Sequence, residues 1–515
     1  MDERIAAAWK LLPGYLGQHV LLSASALVLG LALSLPLAVA ASRFPRLRWI
    51  ALTLAGLIQT IPSLALLALF YPLLLLLSAL SRSVLGAGFS ALGFLPSLLA
   101  LTLYSMLPIL RNAVTGILGV DPAVVEAARG VGMTDRQRLF QVELPLAAPV
   151  IMAGVRTAAV WTIGAATLST PVGQTSLGDY IFSGLQTEDW VLVLFGCVAA
   201  AALAMIVDQL LGLIETGAAL RDRRRLIAGF GGLVVGTLLA LAPLATGGVP
   251  ADRVVVGAKN FSEQSILAEV MAERLRRAGF TVTEKLDLGS ALAYQALAAG
   301  EIDAYVDYSG TLWTNVLKRA DNPPRKVLLD QMTADLRRRA GVEVLGPLGF
   351  ENAYALAMRR DRAKALGITT IADLAKYAPQ MTLGSDLEFL SRPEWKALRE
   401  AYGLSFHAEK RYQPTFMYKA VTGGEADVIS AFSSDGRIAA DDLVVLTDPR
   451  QAIPPYDAVI LVSPKRAHDA RFKAALTPLL NAIPVETMRA ANYSVDRDRQ
   501  KLTPGQAARA LRLGR

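Results

Sequence analysis

Up to about residue 250 this chain is made of long apolar runs that carry almost no charge, and beyond that point acids, bases and apolar residues intermix. No other feature constrains the fold as tightly. About 20 consecutive apolar residues are what a helix needs to cross the hydrocarbon core of a bilayer. Residues 20–42, 49–81, 83–110, 144–178, 190–207 and 226–251 reach or approach that length. The second run is long enough to kink at Pro62 or Pro72, the fourth is interrupted only by Arg156, and the fifth continues past Asp208. The first run is too long for a cleaved signal segment, and five more follow it. The expected N-terminal half is therefore an all-α polytopic membrane domain. The Gly- and Pro-containing stretch 246–250 separates it from an ordinary globular domain.

Loop charges give the orientation. Arg43, Arg46 and Arg48 follow the first run, Arg111, Arg129, Arg136 and Arg138 the third, and Arg221 and Arg223 to Arg225 the fifth. The alternate loops hold Arg82, and then Asp179, Glu188 and Asp189. Basic loops stay in the cytoplasm, so the expected location is the inner (plasma) membrane, multi-pass, with everything after residue 250 extracytoplasmic. The same loops account for much of the basic surplus behind the net charge of +8, so no nucleic-acid partner is implied. Cys197 is the single cysteine, and the three histidines, His19, His407 and His468, are scattered, so no disulfide, metal site or cofactor is expected. No nucleophile–base pair stands out, and no G-x-x-x-x-G-K-[ST] phosphate loop occurs. The chain reads as a non-enzyme without catalytic residues.

Residues 121–145 have the punctuation of a structured cytoplasmic element. Asp121 followed by Pro122 suits a helix N-cap and first turn. Gly130 and Gly132 close that helix, and Thr134 with Gln137 forms a capping box for a second. Glu126-Ala127-Ala128, then Gly132, then Leu144-Pro145 resembles the EAA loop of binding-protein-dependent ABC permeases. The resemblance implies a type I importer permease over residues 1–220. It also implies that Glu126, Ala127, Ala128 and Gly132 dock on a separate ABC ATPase subunit, and that two permease copies form a homodimer. Residues 221–250 then add a further membrane anchor and linker.

Beyond residue 251, short β-branched runs alternate with helical stretches: strands near 254–257, 281–286 and 302–308, helices near 263–278 and 291–299. This alternation predicts an α/β domain with ligands at the strand carboxyl ends. Gly300-Glu-Ile-Asp303, leading to Tyr308-Ser309, is echoed by Gly424-Glu-Ala-Asp427, leading to Phe432-Ser433. Two lobes of similar design follow, with Tyr308 and Phe432 at equivalent strand ends. The segments 257–264, 306–311, 351–356 and 431–438 together resemble the solute-binding proteins of choline, glycine betaine and carnitine uptake systems. That resemblance implies a two-lobed periplasmic-binding-protein-like domain over 251–515, with lobe 1 at about 251–355 and 458–515 and lobe 2 at about 356–457. It further implies an aromatic cage of Tyr308, Tyr354, Phe432 and Tyr456 around a small quaternary ammonium ligand. Phe432 departs from the tyrosine usual there. A trimethylammonium group has no N–H to donate, whereas aromatic faces attract it by roughly 0.5–2 kcal/mol per contact. Asn260, Ser262, Gln264 and Ser290 are the polar candidates for an anionic end. The expected function is ATP-driven import of a betaine, choline or carnitine type solute. Ergothioneine import by the same architecture is the alternative, and a ligand-sensing receptor without transport is the third reading.

Overall fold

The computed structural model describes residues 3–86, 88–186, 189–245, 252–319, 321–497 and 500–511; the linker 246–250, Glu188 and Ala251 lie outside these. The chain divides into a helical N-terminal unit and an α/β C-terminal unit.

The helical unit contains α1 (Glu3–Arg43), α2 (Pro45–Thr60), α3 (Ser63–Leu85), α4 (Phe94–Leu118), α5 (Pro122–Gly130), α6 (Asp135–Arg138), α7 (Leu144–Ala166), α8 (Gly178–Gln186), α9 (Trp190–Ala219) and α10 (Arg223–Ala245). Among the described residues six helical stretches are long and apolar enough to cross a membrane: 8–43, 63–85, 94–118, 135–172, 190–219 and 223–243. The second apolar run is broken rather than kinked. Pro62 has no N–H to give and forces Ile61 out of the helical region, to φ −74° and ψ 126°, so α2 ends and α3 begins there. The third span starts later than its apolar run, because Gly86 and Gly93 both adopt positive φ ahead of α4.

Helices α1, α4 and α7 pack around a seam of small residues. A Cβ on Gly154 would come within 2.7 Å of the Pro108 carbonyl, and one on Gly116 within 3.1 Å of the Ala147 carbonyl. Backbones meet this closely in membranes because packing, rather than a hydrophobic drive, joins helices there. Buried Ala113, Ile117, Ala147 and Ile151 line the seam, while Leu76, Trp161 and Leu239 point outward and exposed.

The lone charge of the fourth run is fully engaged. Arg156 Nε and Nη2 donate to Asp208 Oδ1 and Oδ2 at 2.9 and 2.8 Å, and Nη1 donates to Glu215 Oε2 at 2.8 Å. One guanidinium therefore ties α7 to α9. Arg156→Leu leaves both carboxylates without their partner in apolar surroundings, where unpaired charge is costly. At least a several-fold fall in the monodisperse protein extracted from membranes is expected, with Arg156→Lys intermediate. Equal yields from all three proteins would remove the pair from the list of fold determinants.

The α/β unit holds two five-stranded sheets. Strands β1 (Arg253–Lys259), β2 (Thr281–Leu288), β3 (Ala304–Tyr308) and β4 (Glu343–Glu351) are joined by β10 (Asp457–Val462) in the order β2-β1-β3-β10-β4. Strands β5 (Tyr354–Arg359), β6 (Thr382–Ser385), β7 (Ala408–Arg411), β8 (Val428–Phe432) and β9 (Leu443–Val445) form the second sheet in the order β7-β6-β8-β5-β9. Helices α11 (Ser262–Arg277) and α12 (Ser290–Ala298) cross between the first strands. The chain leaves the first sheet through Asn352 and Ala353 and returns through residues 446–456.

The internal echo has a structural meaning. β3 and β8 hold the same central position, each with one parallel and one antiparallel neighbour. Asp303 Oδ2 accepts from the Val255 N–H at 2.7 Å, and Asp427 Oδ2 accepts from the Thr382 N–H at 2.7 Å. Each Gly-Glu-x-Asp turn thus pins the start of a central strand to its parallel neighbour.

Candidate ligand-binding site

The four aromatic residues expected to form a cage all stand at strand ends beside the crossovers. Tyr354 opens β5 and lies directly opposite Phe432, the last residue of β8. Tyr308 ends β3, and Tyr456 immediately precedes β10. Tyr354 is the hub: its ring centroid is 5.1 Å from Phe432, 6.1 Å from Tyr456 in an edge-on arrangement, and 5.0 Å from Phe389. Gly310 makes room for this group, since a Cβ there would fall 2.4 Å from the Tyr456 ring. Tyr308 is arranged differently. It stacks on Phe261 at 6.1 Å, with the Lys259 ammonium 5.4 Å from its centroid. Its hydroxyl donates to Glu263 Oε1 at 2.6 Å and accepts from Gln264 Nε2 at 3.0 Å.

Arg392 completes the cluster around Tyr354. Its guanidinium carbon lies 4.9 Å from the Tyr354 centroid. Its Nη2 reaches Glu394 Oε1 at 3.1 Å, the Tyr456 hydroxyl at 3.3 Å and Thr311 Oγ1 at 3.4 Å. The Tyr456 hydroxyl also donates to Glu394. Burial opposes the guanidinium charge, yet its neighbours, the Glu394 carboxylate among them, outweigh it and raise the pKa of Arg392. Burial likewise opposes the charge on Glu394, but Arg392 holds that carboxyl below its usual range. Arg392 is thus held against the rings between two carboxylates, Glu394 and, from Nη1 at 3.3 Å, Glu388. Asp386, nearby, is pushed upward by burial, although the N–H groups of Glu388 and Phe389 donate to it at 2.8 and 3.0 Å.

The expected polar residues fall into two groups. Ser262 Oγ donates to Asp496 Oδ1 at 2.5 Å, and Gln264 is shared between the Tyr308 hydroxyl and the Lys259 N–H, so both are engaged within the protein. Asn260 is exposed where β1 leads into α11, and Ser290, half-buried, opens α12. Those two stand at helix-start positions, where backbone N–H groups favour an anion.

The 121–145 loop is built as its residues dictate. Asp121 Oδ1 accepts from the Ala123 N–H at 2.8 Å and caps α5. Gly132 turns the corner at φ +84°, a region closed to most side chains. Thr134 and Gln137 exchange both hydrogen bonds of the capping box at the start of α6. Glu126, Ala127 and Gly132 are exposed and Ala128 is buried, while Val124, Val131 and Phe140 present apolar surface beside them.

Residues 252–511 match the family described as the substrate binding domain of the ABC-type glycine betaine transport system. Residues 30–219 match the binding-protein-dependent transport system inner membrane component. The chain belongs to the binding-protein-dependent ABC importers. This importer carries permease and substrate-binding domain in one polypeptide. The ergothioneine transport permease/ergothioneine binding protein EgtU of Helicobacter pylori (strain G27) is 29% identical to it over 464 residues, 86% of this chain and 80% of that one. The glycine betaine/carnitine/choline transport system permease protein OpuCB of Bacillus subtilis (strain 168) is 40% identical over 199 residues, 39% of this chain and 84% of that one. A crystal structure of a glycine betaine/carnitine/choline ABC transporter is 27% identical and covers 50% of this chain and 97% of its own, with a TM-score of 0.45.

Sequence reasoning did not single out Arg392, Glu394 or Phe389 in the importer's binding domain. The available signal was local: an aromatic and an arginine three residues apart, immediately ahead of the Pro-initiated helix Pro393–Tyr402. Such a helix start presents free backbone N–H groups and a cation at one place.

Proposed function

We propose that the chain imports a zwitterionic trimethylammonium compound of the betaine or carnitine type, with Tyr354, Phe432 and Tyr456 receiving the cation and Arg392 the carboxylate. Tyr308 borders the same strand ends as a fourth wall, and Asn260 and Ser290 assist the anionic end. One observation carries this reading: a buried guanidinium lies against the ring at the centre of the aromatic cluster. Glu394 and Glu388 balance that guanidinium, so a bare cation gains only the rings, whereas a zwitterion also offers Arg392 an anion. Choline, which has no anionic group, is the weaker ligand on this account. Ergothioneine is the second reading, favoured by the EgtU likeness across both halves of the chain and by the missing hydroxyl at Phe432.

The binding domain sits on the extracytoplasmic side, as the loop charges require. Two permease copies surround the path, and a separate ATPase subunit docks on the exposed Glu126, Ala127 and Gly132 corner, with Ala128 packed beneath it. Tethering keeps the closed, loaded domain near the permease at an effective concentration on the order of millimolar.

The test is calorimetry on the Arg392→Gln, Glu394→Gln double variant, which removes both charges together. Affinity for carnitine and betaine is expected to fall at least tenfold while that for choline holds or rises. An equal loss for all three would take the carboxylate contact away from Arg392.

A further inference from the structure

The loop between the third and fourth spans is joined to the membrane helices in two ways, one covalent and one ionic. Helix α6 does not end before α7. Residues Leu139–Glu143 continue it as a π-turn, in which the Leu144 N–H reaches the Leu139 carbonyl. Such one-residue insertions are rare in helices and concentrate at functional positions. Here the insertion ends on Glu143, whose side chain is 2% exposed at the membrane end of the loop.

Two arginines hold that carboxylate from different elements. Arg138, buried in the same segment, donates through Nε to Glu143 Oε1 at 2.9 Å and is itself paired with Asp135 at 2.8 Å. Arg43, the last residue of α1, donates through Nη2 to the other oxygen, Oε2. Loss of Arg43 leaves Glu143 still paired with Arg138, whereas loss of Glu143 leaves buried Arg138 with only the exposed Asp135. Immediately beyond the joint, Gly116 brings α4 against Ala147 of α7 at backbone distance. A displacement of the loop therefore reaches α7 through a continuous helix and α1 through one shared carboxylate.

We infer that Glu143 is a positioning residue for energy coupling: it makes α1 move with α7 when the 121–145 loop is displaced. The inference rests on the reading of that loop as the ATPase-docking element. It assigns a task to a residue outside the Glu126 to Gly132 corner.

The test uses the full chain assembled with its ATPase subunit in liposomes, scored as glycine betaine, carnitine or ergothioneine (whichever binds) imported per ATP hydrolysed. Arg43→Gln breaks only the cross-helix bond at a half-exposed position. It is expected to leave assembly and basal ATP hydrolysis unchanged while lowering import per ATP at least fivefold. Glu143→Gln should lower that ratio at least tenfold, and exchanging the charges (Arg43→Glu with Glu143→Arg) should recover part of it. A purely structural role predicts lost assembly with an unchanged ratio in whatever assembles. Wild-type ratios in both single variants would overturn the inference. The docking reading is checked separately: if Glu126→Arg fails to weaken ATPase assembly, that reading fails, and if it does weaken assembly while Arg43→Gln stays coupled, only the joint fails.

Discussion

Tyr354→Ala is expected to weaken binding of the trimethylammonium ligand by roughly 30-fold or more. One desolvated aromatic contact with a quaternary cation is worth up to about 2 kcal/mol, and each 1.4 kcal/mol is a factor of ten. The loss does not stop at one face, because Tyr354 supports Phe432, Tyr456 and Phe389 together and carries Arg392 over its ring. Truncating a buried aromatic also costs stability, about 3–5 kcal/mol, so affinity is measured by calorimetry on protein whose unfolding transition has been recorded. Tyr354→Phe separates the two effects. It retains the π face and should bind within about threefold of wild type, as the phenylalanine at position 432 already suggests for this cluster. Unchanged affinity in the alanine variant would exclude Tyr354 from the site.

The second large effect is expected at Gly132. A Cβ there meets nothing within 4 Å, so space within the chain is not the obstacle. The backbone is at φ +84°, which costs an alanine about 1–2 kcal/mol, and the corner stands exposed next to Val131. Gly132→Ala should reduce transport modestly through local strain. Gly132→Trp should abolish it, because the bulk projects from the surface that the ATPase subunit must cover. Solute uptake into proteoliposomes is the readout, with ligand affinity as the control expected to stay at the wild-type value. Uptake surviving in the tryptophan variant would place the docking surface elsewhere.

What the sequence could announce was set by local chemistry. The caps at Asp121 and at Thr134 with Gln137 involve partners two or three residues away, and all form as expected. The Gly-Glu-x-Asp echo pointed to two lobes of similar design, and each aspartate answers to one strand start in its own sheet. The break at Pro62 was visible as a kink, although apolar content alone did not show that α2 and α3 separate there. Arg392 stayed hidden because its partners Tyr456 and Thr311 lie 64 and 81 residues away in the chain. Ser262 and Gln264 were legible near a strand end, but not their protein partners Asp496 and Tyr308, 234 and 44 residues away. Glu143 stood in plain view beside Leu144-Pro145, yet its meaning depends on Arg43, 100 residues earlier.

The most direct test of the account is a titration of the full-length chain in lipid nanodiscs with glycine betaine, carnitine, ergothioneine and choline. Saturable binding of at least one zwitterion, at least tenfold tighter than choline, is the expected result. Choline binding as tightly as every zwitterion, or no binding of any of the four, would contradict it.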